Sequence, residues 1–246
     1  NNSNLFTIFW VNGDSAYGQK CQQIARAGLE RATQLLPVIP QTPVEIYIYP
    51  DEISLQSVLS VDSQFWVNGH AFLNANRILV ADNQPLDDVT DIERTIPHEI
   101  MHLLQFQITG QNYRHAPSWL TEGLSTQTEL YANPEYQRKL SDALINNSIT
   151  PLSKLCSGMS PDSSQTIVDY AQSSSLVEYI QRHYGNQVFL TMLQNASSGM
   201  DCEKNTNISL GISIQQLERE WRDSVQNKNS GISSNLISTF LWIGLP

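Results

Sequence analysis

Apolar and polar positions alternate with a short period near the start of the chain and with a helical period further on. Residues 5–11 form an apolar, β-branched and aromatic run closed by Asn12-Gly13, which predicts a strand. Between 17 and 36 the apolar positions Cys21, Ile24, Ala25, Leu29, Ala32, Leu35 and Leu36 recur at helical spacing, and Pro37 ends the pattern. Residues 44–49 alternate strictly and predict a second strand. A short helix follows over 54–59 and a turn at Asn68-Gly69. After Ala71-Phe72-Leu73, residues 77–81 predict a further strand.

Beyond Asp91 the character changes. Helices are expected over 92–109, 117–131, 134–146, 165–184, 186–195 and 213–226. The fold class is therefore α+β, with a mixed N-terminal sheet and its helices over 1–90 and a mainly helical part over 91–227. Residues 228–246 form a polar linker and an uncharged apolar run, Leu236 to Pro246. That run is too short to span a bilayer, which takes about 20 residues. It is expected either to begin a membrane anchor or to fold back onto the domain.

Composition narrows the partners. With Lys+Arg 14 against Asp+Glu 24 and a net charge of -10, nucleic acid is excluded as a partner, since phosphates call for basic patches. A hydrophobic fraction of 40% is enough for a sizeable core. Cys21 sits in a helical pattern and reads as a buried apolar residue. Cys156 and Cys202 lie in loop-like stretches and can pair if the protein is exported, and the low lysine content points the same way, to an extracytoplasmic protein.

The chemistry concentrates in His98-Glu99-Ile100-Met101-His102, an HExxH pattern. Residues four apart on a helix share a face, so both imidazoles can reach one Zn²⁺. Glu99, one step away, faces the reacting water rather than the metal and suits a general base. A catalytic zinc needs three protein ligands and an open position. Glu122 in Pro117-Ser118-Trp119-Leu120-Thr121-Glu122-Gly123-Leu124 supplies the third ligand from a second helix, beside a glycine that permits close helix contact. Pro97 precedes the first histidine. Thr90 and Glu93 fit a capping box, which would place that proline inside the helix, so the helix either begins later or bends before the metal.

HExxH followed by P-x-W-L-x-E-G-L resembles the gluzincin metallopeptidases, in particular the peptidase MA-like family related to the aminopeptidase-N group, over roughly residues 40 to 225. The resemblance implies a zincin-like fold with a cleft between sheet and helices, one Zn²⁺ per chain and a peptide or protein substrate. It also makes Tyr170, at the start of the helix that ends near Tyr184-Gly185, the counterpart of a tyrosine that donates to the oxyanion. Two departures stand out. No segment resembles G-x-M-E-N, which in the aminopeptidases holds the substrate's amino terminus, so an endopeptidase is expected rather than an aminopeptidase. Position 126 is Thr, where thermolysin-like relatives carry an aspartate behind a zinc-bound histidine, and Glu129 matches a glutamate of the aminopeptidase-like pattern. A solvated helical position is the other reading of Glu129. The competing functional readings are a catalytically silent fold that binds peptides and a purely structural metal; Glu99 argues against the second. His70, His115 and His183 are read as structural or surface groups.

Overall fold

A computed structural model describes residues 5–59, 69–85 and 88–226. The parallel pair β1 (Phe6–Trp10) and β2 (Val44–Tyr49) is joined by α1 (Ser15–Leu35), and α2 (Glu52–Gln56) follows. Among the described residues, β3 (Gly69–Phe72) and β4 (Arg77–Ala81) complete a four-stranded sheet of order β1-β2-β4-β3, in which β3 runs antiparallel to β4. The helices α3 (Thr90–Thr109), α4 (Ser118–Thr128), α5 (Pro134–Ile145), α6 (Ser163–Tyr184), α7 (Gln187–Ser197) and α8 (Cys202–Leu210) come next, with 3-10 turns at Leu73–Ala75 and Gly110–His115. The chain is again helical over 214–226. The expected α+β class holds.

The strict alternation of β2 is realised in its burial. Val44, Ile46 and Ile48 are buried against α1 and α3, while Tyr47 and Tyr49 pack on the opposite face with Leu55, Leu59 and Leu79. α1 begins where Asp14 accepts hydrogen bonds from the Ala16 and Tyr17 amides, as an N-cap side chain does.

α3 is apolar on two faces and polar on a third. Ile92, Ile96, Ile100 and Leu103 join the core under the sheet. Met101 and Leu104 join the helical core with Trp119, Leu120, Leu176 and Trp221. The remaining face carries His98 and His102. α1 also reaches both cores, through Ile24 and Ala25 on one side and Ala32 and Leu35 on the other.

Several boundaries differ from the sequence reading. Pro97 lies inside α3, so the helix does not begin later. The capping box does not form; Asp88 accepts from the Thr90 amide instead. α4 stops at Thr128 rather than 131, and α8 occupies a stretch read as a loop. The α8 sequence has few apolar residues, and its helix begins at the Asp201 cap, whose side chain accepts from the Lys204 amide. Asn68 and the run 236–246 lie outside the described residues. Among the described residues no helix is long and apolar enough to cross a membrane.

Gly123 sets the tightest helix contact. A Cβ there would sit 2.5 Å from the Ser173 carbonyl oxygen and 2.6 Å from Val177 Cγ2. The close approach it permits is therefore to α6, not to α3 as its position beside Glu122 suggests. Because the obstruction is backbone, Gly123→Ala should force the helices apart and cost about 1–3 kcal/mol. Urea unfolding of the two proteins would measure this, and unchanged stability would show that α6 yields freely.

Candidate metal centre

The site lies where α3 crosses α4. His98 and His102 sit one turn apart on α3, and their rings stand 4.9 Å apart at 70°. Both turn Nε2 towards one atom of α4: His98 Nε2 is 3.2 Å and His102 Nε2 3.5 Å from Glu122 Oε2. Ligand atoms of the three residues all fall within 4.8 Å of one another. Four ligands placed tetrahedrally at about 2.0–2.1 Å from an ion are about 3.4 Å from each other. The two histidine-to-carboxylate separations lie close to that edge, and the imidazole nitrogens set the site apart from those of calcium, which takes oxygen ligands. Two imidazoles and one carboxylate also form a donor set suited to zinc with a coordination position left open.

The outer ring nitrogens are held as firmly as the inner ones. His98 Nδ1 lies 3.2 Å from Glu129 Oε1. His102 Nδ1 lies 2.8 Å from the Tyr113 hydroxyl, which donates to Gln105 Oε1 at 3.0 Å, and Gln105 Nε2 donates to the Thr121 carbonyl at 3.0 Å. This chain of donors has one consistent direction. It places the His102 proton on Nδ1 and leaves the Nε2 lone pair for a metal. It also ends on the residue before Glu122, so α3 and α4 are tied together behind the site.

Glu129 sits just past the end of α4, buried and outside any helix, so the solvated helical reading is corrected. Its position depends on Pro97. A proline has no N–H, so the Glu93 carbonyl one turn earlier loses its helical donor. The Leu130 amide supplies that bond at 2.9 Å. Thr128 Oγ1 donates to the Pro97 carbonyl at 3.0 Å, and the Arg31 guanidinium donates to the Glu129 carbonyl. The segment carrying Glu129 is thereby fixed to α3 and α1.

The start of α4 is held differently. Pro117, its N-cap residue, offers no side-chain cap. The Ser118 and Trp119 amides instead donate to the carbonyls of Cys156 (3.3 Å) and Leu155 (2.9 Å). Cys156 is disulfide-bonded to Cys202, with Cα atoms 5.8 Å apart. Cys21 is free and buried, as its pattern implied.

The site opens into a cleft in two parts. One, about 240 Å³, is lined by His70, His98, His102, Tyr113 and Glu122, and the other, about 400 Å³, by Arg94, Glu129, Tyr136 and Ile167. Gly69, His98, Glu99 and Tyr170 border both. Tyr170 lies two turns into α6 rather than at its start, its ring 5.9 Å from that of His98. The negative charge of Glu122, and then burial, push its phenol well above the ordinary value, so it stays a hydrogen-bond donor. His115 lines a separate cavity beside the disulfide, and His183 Nδ1 bonds the Tyr179 carbonyl at 2.8 Å. Sequence reading missed Gln105, Tyr113 and Ser125, whose hydroxyl lies 3.3 Å from His102 Nδ1, as site residues. Gln105 lies three residues after His102 and Ser125 three after Glu122, spacings that share a helix face, while Tyr113 sits in a 3-10 turn that leaves no periodic signal.

Two helices that cross so as to aim two imidazoles and a carboxylate at one point, beside an α/β sheet, define a zincin-type metal centre. A family profile described as Peptidase MA superfamily matches residues 24–227, and the chain belongs to that superfamily. Comparison with curated proteins gives no significant match.

Removing the Tyr113 hydroxyl should break the donor chain behind His102. Tyr113→Phe is expected to weaken zinc binding by about tenfold, at the low end for such outer partners, without a comparable loss of fold stability. Competition with a chelating dye would measure the affinity, and an unchanged value would remove Tyr113 from the site. Proton linkage gives a second expectation. Burial disfavours a charged His98, but hydrogen bonds to Glu122 and Glu129 outweigh it and hold its pKa at about 10, above the ordinary value near 6.5. In the metal-free protein this pairing stabilises the fold fully below pH 6.5, and the contribution is lost as pH rises through about 10. Metal must displace that proton. Zinc uptake at neutral pH should therefore release at least one proton, and affinity should rise with pH about tenfold per unit per proton released. Calorimetry in buffers of different ionisation enthalpy would count the protons; zero would contradict the pairing.

Proposed function

We propose that this chain is a zinc-dependent peptidase that cleaves within polypeptides. The observation that carries the reading is the convergence of His98, His102 and Glu122 on one point beside Glu99 in an open cleft. Glu99 is 8% exposed and borders both parts of that cleft. It is not among the residues that converge on the metal position.

Zinc bound there supplies a Lewis acid that polarises a carbonyl and acidifies water. The remaining work belongs to the chain's own residues. Glu99 takes a proton from the attacking water and passes it to the leaving amine. The Tyr170 hydroxyl donates to the carbonyl oxygen as that oxygen gains charge. β3 is the outermost strand of the sheet and has no strand partner on its far side among the described residues, so a substrate can pair with it in extended form. The close pass of β3 over α3 brings that edge to the reacting groups. A Cβ on Gly69 would meet Thr95 Cγ2 at 2.3 Å and Glu99 Oε1 at 3.0 Å.

The cleft continues on both sides of Glu99, which favours internal cleavage, since a peptide can extend past the metal in either direction. The Cys156–Cys202 bond supports an oxidising, extracytoplasmic setting.

Metal analysis and hydrolysis of casein or a fluorogenic peptide test the proposal. His102→Ala should lose zinc and activity together, and a variant that kept stoichiometric zinc would refute the ligand assignment. Glu99→Gln should keep the metal and the fold while turnover falls about 10²–10⁴-fold. A rate like that of the wild type would put the base elsewhere, and retained zinc with no hydrolysis in the unmodified protein would favour a peptide-binding role.

A further inference from the structure

The larger part of the cleft holds an unmet acceptor. Glu129 is 7% exposed, and its Oε1 is engaged with His98. Its Oε2 is buried and receives no hydrogen bond from any described residue. A buried carboxylate oxygen left without a donor is costly; the backbone on either side is pinned through Thr128, Leu130 and its own carbonyl, so only the side-chain torsions can turn Oε2 to a donor in the cleft.

The acidic and basic groups lining this part are Asp91, Arg94, His98, Glu99 and Glu129. Arg94 is matched by its ion pair with Asp91, whose second oxygen accepts from Gln84 Nε2 at 3.0 Å. With that pair neutral, the other acidic groups are Glu99, which also borders the metal side, and Glu129, whose Oε1 is matched by His98 and whose Oε2 has no donor among the described residues. Tyr136, Ile167 and Tyr170 supply apolar wall beside it.

We propose that this part of the cleft takes a cationic side chain of the peptide substrate, lysine or arginine, with its N–H donating to Glu129 Oε2. The methylene stem lies along Tyr136, Ile167 and Tyr170, as amphipathic side chains lie on apolar surface. The chain's net charge of -10 favours encounter with cationic peptides. The assignment rests on the peptidase reading and specifies which peptides it cuts.

Two peptide series, with the varied residue on either side of the scissile bond, would carry lysine, norleucine, Nε-acetyl-lysine or glutamate at that position. With the zinc-loaded protein, lysine should exceed norleucine in kcat/KM by about 10–100-fold in one series, the value of a hydrogen bond to a charged group. Acetylation should abolish the advantage. In Glu129→Gln the amide oxygen can still accept from His98 but the charge is gone, so the lysine-to-norleucine ratio should fall towards one. Any weakening of the metal site affects both peptides alike and cancels in that ratio. The acetyl-lysine comparison needs no variant and decides the matter if Glu129→Gln does not fold. Turnover with equal rates for lysine and norleucine, or with glutamate preferred, would overturn this assignment and leave the peptidase reading intact. No turnover of any peptide would overturn both.

Discussion

Two imidazoles and a carboxylate, pressed within a few ångströms of each other among buried side chains, constrain everything around them. Each polar atom of such a group needs a partner, because desolvation without one costs more than the packing nearby returns. Here the inner atoms face one another, and the outer nitrogens face Glu129 and the Tyr113–Gln105 pair. The crossing of α3 and α4, the turn after α3 and the segment after α4 all follow from satisfying those outer atoms.

Pro97 shows how a local defect is used. In an isolated helix its missing N–H is a plain loss. In this fold the freed Glu93 carbonyl receives the Leu130 amide, and the residue before Leu130 is the one that holds His98. The contact that α1 makes here is equally close, since a Cβ on Gly28 would stand 2.8 Å from the Pro97 ring. A break in one helix's ladder has become the attachment point for a third element.

Much of this architecture could be read from the chain, because the groups that matter lie at fixed helical offsets. The four-residue step from His98 to His102 determines that they share a face whatever surrounds them. The proline, tryptophan and glycine around Glu122 marked a buried helix of the right kind. What could not be read depended on contacts between elements. Glycine at 123 announced a close approach, but only the fold shows that its partner is α6. Glu129 lies seven residues after Glu122, a spacing that on a continuous helix would keep it on the same face. The helix ends at Thr128, so the side chain reaches His98 from an extended segment. Tyr113 and the helix α8 lacked apolar periodicity altogether, and their placement is set by hydrogen bonds and caps.

The anchoring of α4 at both ends has a consequence for the energetics of metal capture. Its first amides rest on the disulfide-bound loop, and the chain past its last turn is tied to α3. The backbone that carries Glu122 is therefore placed by covalent and backbone constraints. The entropy of ordering the ligands is spent while the chain folds and oxidises, unlike in small domains that fold only around their metal. Such a centre behaves as a rigid socket, so its filled and empty forms would superpose closely and its occupancy would follow the supply of metal outside rather than the folding state of the chain.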